Sequence, residues 1–296
     1  MSVAAAANGL NQVELARDRQ RERGLFLGLS LPAIVTIMIV VFLPIFWLSS
    51  LSLLDRGGNF TLENYARIAE SPLYLNTFLV TFQISVAVTL LCVLLGYPLA
   101  YWMCRMPASR ANLCMVFVLV PFWTSVLVRT YAWLVLLQRN GLINNALLGL
   151  GLIDTPLQLA HNLTGSIIGM VHVMLPFLVL PLYASMTAID GDLVRAAVGL
   201  GSTPRRAFWD VFFPMSLPGL FAGIVLVFVL SLGFFVTPAL LGGGRVQMLA
   251  QRIESTITLY TNWGAASALG VVLLVAAVAM IWLLNRVFGL DKLFVR

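Results

Sequence analysis

Residues 217–241 read LPGLFAGIVLVFVLSLGFFVTPALL, without one Asp, Glu, Lys or Arg. A helix rises about 1.5 Å per residue, so about 20 apolar residues cross a hydrocarbon core roughly 30 Å thick. This run is long enough. It does not alternate apolar and polar over about ten residues, as a strand of a membrane barrel does. Backbone polar groups in lipid must pair within their own segment, so the run is read as a helix. Working outward from it, five more stretches have the same character: 25–53, 77–102, 113–137, 164–189 and 265–288. The chain has 296 residues, 60% hydrophobic and 10% charged, with a mean hydropathy of +0.95. A soluble domain is nearer half apolar and a quarter charged. The sequence therefore predicts an all-α, polytopic membrane protein with a six-span domain at 25–288 and polar tails at 1–24 and 289–296.

Prolines fall inside or near the ends of the spans at Pro44, Pro98, Pro121, Pro176, Pro181 and Pro238. Each removes a helix hydrogen bond and favours a kink. The first span follows Arg17, Arg19, Arg21 and Arg23, but its apolar run is about twice the 7–15 residues of a signal-peptide core, so it is expected to stay as an anchor. An inside N-terminus puts those four with Arg105, Arg110, Arg195, Arg205, Arg206, Arg286, Lys292 and Arg296 in the cytoplasm, twelve of the 18 basic residues. The positive-inside rule then predicts that both termini are cytoplasmic, in a multi-pass protein of the bacterial inner membrane. The formal charge of +6 follows from that topology and implies no nucleic-acid partner. Cys92, Cys104 and Cys114 read as ordinary helix residues or free thiols.

The N-terminal 16 or so residues are Ala/Asn-rich and expected to be irregular, with a surface helix over 14–23. Outside, residues 60–67 (FTLENYAR) predict a short helix with Thr61 as N-cap and Asn64 in the place where a capping box has Glu or Gln. The loop at 138–163 is expected to be partly helical. The loop at 190–216 is long enough to fold. DGDLVRAAVGL (190–200) predicts two or three helical turns that begin beside Asp190 and Asp192. Gly201 is placed to end them at positive φ. Thr203 and Pro204 restart a helix as cap and first residue. Phe208, Val211 and Phe212 give it an apolar face, and Pro214 and Pro218 lead into the fifth span.

Several function classes drop out. A P-loop needs a lysine directly after its last glycine. The one lysine, Lys292, follows Asp291, so this chain is not expected to hydrolyse ATP. A secondary transporter needs an ion-coordinating site at membrane depth, and no Asp, Glu or Lys lies in the six stretches. His161 and His172 stand apart, with no spacing that suits a metal or a catalytic pair. Apart from Arg286 near the end of the sixth stretch, Arg129 is the one full charge inside a span. On a continuous helix Ser125, Arg129 and Trp133 share one stripe. Two readings stand: the stripe faces a translocation path or a partner chain, with Arg129 stacked on Trp133, or Arg129 snorkels to the outer interface. Trp123, Tyr131 and Phe234 are further candidates for the path.

The loop at 190–216 resembles the EAA loop of binding-protein-dependent ABC permeases. Ala196-Ala197, Gly201, Thr203-Pro204, Phe208, Val211 and Pro214 match its spacing, while Arg195 stands where that family usually has Glu. The segments TLENY (61–65), GYPLAY (96–101), PFWTSVLVRTYAW (121–133), NGLIN (140–144), LPFLVLPLY (175–183) and LGFFVTPALLGG (232–243) resemble the first permease subunit of spermidine/putrescine-type importers. The resemblance implies a type I importer permease fold with a cytoplasmic coupling helix. It implies docking on an ATPase through Asp192, Arg195, Ala196, Ala197, Gly201, Thr203, Pro204 and Phe208, with either a compensating ATPase surface opposite Arg195 or a contact shifted to Asp192. The implied partners are two cytoplasmic ATPases carrying the ATP and Mg, a second and related permease chain, an extracytoplasmic solute-binding protein and the surrounding lipid. This chain itself is expected to bind no cofactor and no metal. The implied cargo is a polyamine, or else an opine, an amino acid or another small organic solute.

Overall fold

A computed structural model describes residues 3–55 and 57–288, and the helix that opens the chain is continuous from Val3 to Ser52. The reading made for 289–296 lies outside the described residues, whereas the first 16 or so residues, expected to be irregular, are helical from Val3, and the helix expected over 14–23 is part of the same rod. Among those described, helix is the only extended regular element; one isolated bridge joins Leu54 and Phe60. In chain order the helices are α1 (Val3–Ser52), α2 (Glu63–Glu70), α3 (Pro72–Cys104), α4 (Ala108–Trp123), α5 (Val126–Leu137), α6 (Leu142–Gly149) and α7 (Leu163–Thr187). They continue with α8 (Gly191–Gly199), α9 (Pro204–Ala207), α10 (Phe213–Leu232), α11 (Val236–Leu241), α12 (Leu249–Thr258) and α13 (Trp263–Phe288). Five helical stretches are long and apolar enough to cross a membrane: Gly28–Ser52, Pro72–Cys104, Leu163–Thr187, Pro204–Leu232 and Trp263–Leu283. The pair Ala108–Trp123 and Val126–Gly149, bent by 99°, is long and apolar enough only when its two parts are taken together, and then counts as a sixth.

The core is a bundle of α3, α7 and α10, held at close range by glycines. In lipid, helices gain little from hydrophobic burial against each other, so small residues that let backbones approach carry the packing. Leu178 of α7 sits between two of them. A Cβ added at Gly96 would lie 2.6 Å from Leu178 Cδ2, and one added at Gly223 would lie 3.0 Å from Leu178 Cδ1. Ile84, Val88, Cys92, Met174 and Val227 fill the same layer. A second layer, of Ala100, Leu182, Met186, Phe212 and Leu220, continues it toward the α8 end of the bundle. Tyr97 Oη and Ser216 Oγ, 3.0 Å apart, tie α3 to α10 there. By contrast α1 lies at the edge, with Ile34 to Leu48 largely exposed to the surroundings that lipid supplies.

Four further expectations need correction. The third span is not one helix over 113–137. It breaks at Thr124 and Ser125, both extended (ψ 152° and 135°). Pro121 weakens the preceding turn by lacking an N–H. The Thr124 hydroxyl then takes the Pro121 carbonyl (2.9 Å) in competition with the helix ladder. The fifth span does not run to residue 241. It stops at Leu232, and Gly233, Phe234 and Phe235 lead into the separate short helix α11. Pro238 is the third residue of α11, where its missing N–H is an orphan position anyway, so a helix can begin there. At its other end the fifth span starts earlier than expected: α9, a π turn over Phe208–Phe212 and α10 form one rod without a loop. Finally, Asn64 does not complete a capping box. Thr61 Oγ1 accepts from the Glu63 N–H (3.1 Å), while Asn64 turns inward and donates to the Ser52 and Leu54 carbonyls (3.1 and 3.0 Å). A buried amide that closes two carbonyls at the end of α1 is worth more here than a surface cap.

Candidate functional site

The loop between α7 and α10 is built by local chemistry at each joint. Asp190 is the N-cap of α8, its carboxylate accepting from the Asp192 N–H (2.9 Å). At the other end the Gly201 N–H bonds the Val198 carbonyl (3.0 Å) and the Ser202 N–H bonds the Ala197 carbonyl (3.1 Å). With Gly201 at φ +96° this is a Schellman ending, in which the reversal of the chain closes two carbonyls that the helix leaves open. Thr203 then caps α9, its hydroxyl accepting from the Arg206 N–H (3.3 Å), with Pro204 in the first turn.

Phe208 anchors the loop to the bundle. Its ring meets Tyr101 of α3 edge-on at 5.1 Å, and Phe212 meets the same ring at 5.1 Å. The Arg105 guanidinium lies over the Tyr101 ring, 4.4 Å from its centroid. The π turn fits this packing, because it holds Phe208 and Phe212 in a stack at 5.8 Å. Phe208 therefore fastens the loop and is not part of its outer face.

α8 has no buried residue. Val194 and Ala197 are half-buried, Val194 packing toward the Tyr101 layer, while Asp192, Arg195, Ala196 and Gly199 face outward. Leu200 is 90% exposed at the helix end. An apolar tip beside two small residues lets another backbone approach closely. Arg195 and Asp192 pair with each other, the Arg195 Nε lying 2.8 Å from Asp192 Oδ1, and both are largely exposed. Arg206 pairs in the same way with Asp210 at 3.1 Å. Such exposed pairs contribute little stability and are easily traded for others.

The second candidate region lies where the two broken spans meet. Thr130 Oγ1 of α5 is 3.1 Å from Thr237 Oγ1 of α11, joining the helices that follow the breaks at 124–125 and 233–235. Ser125 is the N-cap of α5, exposed and making no side-chain cap bond. Arg129 is buried, and its Nη2 turns back to the Thr124 carbonyl (3.2 Å). Its guanidinium makes no stacking contact with Trp133 among the described residues, and its side chain is covered by this chain. Trp133 instead donates from Nε1 to His172 Nδ1 of α7 (2.9 Å), which places any proton of a neutral His172 on Nε2. Phe234 is half-buried against the α3–α7 core, whereas Trp123 and Tyr131 are 86% and 54% exposed. The six residues thus divide into an outward pair, a cap at the break and three that pack inward. Sequence reasoning missed His172 and Thr237 here; the two threonines that join the breaks carry no sequence signal. No group of three His, Cys, Asp or Glu able to hold a metal occurs among the described residues.

Residues 92–289 match the family of binding-protein-dependent transport system inner membrane components. The spermidine/putrescine transport system permease protein PotB of Salmonella typhimurium (strain SL1344) is 34% identical over 86% of this chain and 91% of that protein. The PotB of Escherichia coli (strain K12) is 33% identical over 86% and 95% of the two chains. Among solved structures, the bacterial alginate ABC transporter in complex with an alginate pentasaccharide-bound periplasmic protein contains a similar chain, with a TM-score of 0.69 and 18% identity over 91% of this chain and 95% of that one.

Proposed function

Because the chain belongs to the family of binding-protein-dependent inner membrane transport components, we propose that it forms half of the path for a polyamine, spermidine or putrescine, and draws its energy from a separate ATPase. The observation that carries this is the exposed helix α8, capped at both ends and fastened through Phe208 to Tyr101, in a chain without a P-loop lysine. Two ATPase subunits holding ATP and Mg would grip α8 by its Asp192, Arg195 and Ala196 face. The second permease would be a related but distinct chain, and an extracytoplasmic binding protein would deliver cargo to the loops around α2 and α6. Both termini would lie in the cytoplasm.

The geometry gives a route for the stroke. α8 packs against the π turn, and the π turn is continuous with α10. Closure of the ATPases would therefore displace α10 as a rod and reach the break at Gly233, where α11 holds α5 through Thr237 and Thr130. Ser125, Trp133 and Phe234, with Trp123 and Tyr131 beside them, would border the path at that level. The polyamine reading rests on the relatives named for that cargo; an opine or amino acid is the alternative, favoured by the absence of any acid in the six stretches read as spans.

Labelled putrescine and spermidine uptake tests the cargo. Cells lacking this gene and any backup system are expected to lose uptake at micromolar solute and to regain it when the gene is restored. Unchanged uptake would overturn the polyamine cargo and turn the search to amino acids and opines.

A further inference from the structure

The first apolar stretch ends at Ser52 and the last begins at Trp263. These two ends touch: a Cβ added at Gly264 would lie 2.5 Å from the Leu54 carbonyl oxygen. At 25 and 21 residues, both stretches match the thickness of the hydrocarbon core, so their joined ends mark one edge of it. Inward of that edge, α1 and α13 flank a slot of about 220 Å³. Ile45 and Leu48 of α1, Ile257 of α12 and Ser267, Gly270 and Leu274 of α13 line it, and its surface is almost wholly apolar. Nothing lies within 4 Å of a Cβ built at Gly270, so the slot reaches the α13 backbone. At the edge itself lies a second, more polar pocket of about 390 Å³, bordered by Asp55, Tyr260, Thr261 and Asn262. Trp263 lines both, as an indole does where hydrocarbon meets headgroups.

Size and chemistry narrow the occupant of the slot. A helix of another chain, about 10 Å across, needs about 400 Å³ for each turn. Each buried water needs two to four polar partners, and the slot offers the hydroxyls of Ser49 and Ser267. A hydrocarbon chain needs none. Ser267 is 5% exposed, and its Oγ has no hydrogen-bond partner among the described residues. It stands one turn along α13 from Trp263, between the slot and the polar pocket. The charge at the polar end is that of Asp55. Its Oδ1 accepts from the Gly57 and Asn59 N–H groups (2.7 and 2.8 Å), whereas Oδ2 has only the Asn59 amide at 3.4 Å. The Asn59 N–H above all holds this carboxyl below its ordinary range, so it is ionised at neutral pH. No Lys or Arg borders the polar pocket among the described residues, and Arg67 nearby is paired with Glu63. That field favours an ammonium over an anion.

We propose that this cleft binds one phospholipid with an ammonium headgroup, of the phosphatidylethanolamine type, whose acyl chain fills the slot between α1 and α13. The ammonium meets Asp55 Oδ2, an ester carbonyl accepts from the Ser267 hydroxyl, and the acyl chain lies against Gly270. α1 lies at the edge of the bundle and packs on α13. The seated lipid adds a second hold on it, through Ile257 of α12.

The test uses the full-length chain co-expressed with its companion permease and ATPase and placed in liposomes. The probe is phosphatidylethanolamine with a photoactivatable group midway along one acyl chain. Irradiation is expected to label residues 45–49 and 267–274 in preference to 34–43, the exposed flank of α1. Gly270→Leu projects a side chain into the slot from a position that meets no atom, and is expected to lower that label about tenfold at unchanged folded yield. Ser49→Leu, from the opposite wall, is expected to do the same, so the result does not hang on how one variant folds. Phosphatidylglycerol carrying the same reactive chain is expected to label the slot several-fold less, and Asp55→Asn to remove that difference. Label spread evenly along α1, or unchanged in both leucine variants, would show an ordinary lipid surface and overturn the proposal. So would equal labelling by the two lipids, or label found on the isolated chain and lost in the complex, where a companion would then cover the slot.

Discussion

Replacing Gly201 by leucine is expected to cut uptake at least tenfold while the chain still inserts into the membrane. Gly201 sits at φ +96°, and nothing lies within 4 Å of a Cβ built there. The penalty is therefore one of backbone conformation alone, about 1–2 kcal/mol for an L-residue held in that region. A shift of 1.4 kcal/mol is about tenfold in a population. If leucine leaves this conformation, the Ser202–Ala197 and Gly201–Val198 bonds open, and α8 loses the ending that aims its outer face. The bundle does not depend on those bonds, so membrane insertion and binding of the companion permease should survive. Asn tolerates positive φ, so Gly201→Asn should retain most uptake. Normal uptake by Gly201→Leu would show that the α8 loop does not transmit the stroke.

Gly219→Leu should instead destroy the fold. A Cβ at Gly219 would lie 2.2 Å from Ser185 Cβ and 2.8 Å from the Pro181 carbonyl oxygen. One of these is backbone and the other the root of a side chain, so neither can swing aside. α7 and α10 would have to separate, which also unseats Leu178 between Gly96 and Gly223. Overpacking a core costs about 1–3 kcal/mol when neighbours can adjust, and more where backbone meets backbone. Size-exclusion profiles of solubilised membranes are expected to show little folded Gly219→Leu. Gly270→Ala, placed where nothing lies within 4 Å, is expected to match the unaltered chain. A full folded yield for Gly219→Leu would mean that the α7–α10 contact is looser than described.

The six apolar stretches were legible because length and hydropathy alone decide whether a helix can cross lipid. Their interruptions were not. Thr124 and Ser125 are two weakly polar residues in a long apolar run, and Pro121 announces a kink without locating it. The end of the fifth span was hidden for a similar reason. Gly233 and Pro238 are both tolerated inside membrane helices, and only the packing of Thr237 on Thr130 shows that a new helix starts between them. The α8 loop was more readable, since Asp190, Gly201 and Thr203 act on their own neighbours within a few residues. What it lacked was a long-range contact: nothing near Phe208 in sequence points to Tyr101. Arg129 shows both sides. Its charge at membrane depth was visible, but its direction depends on a break that had not been located.

The central claim is that this chain moves solute only on a stroke delivered from a separate ATPase. The most direct measurement places the chain, its companion permease and the ATPase in liposomes, with binding protein and labelled solute outside and ATP inside. Solute is predicted to enter only with ATP and all subunits present, and loaded binding protein is predicted to raise ATP hydrolysis. Accumulation by this chain alone, driven by an ion gradient with no ATPase present, would contradict the account.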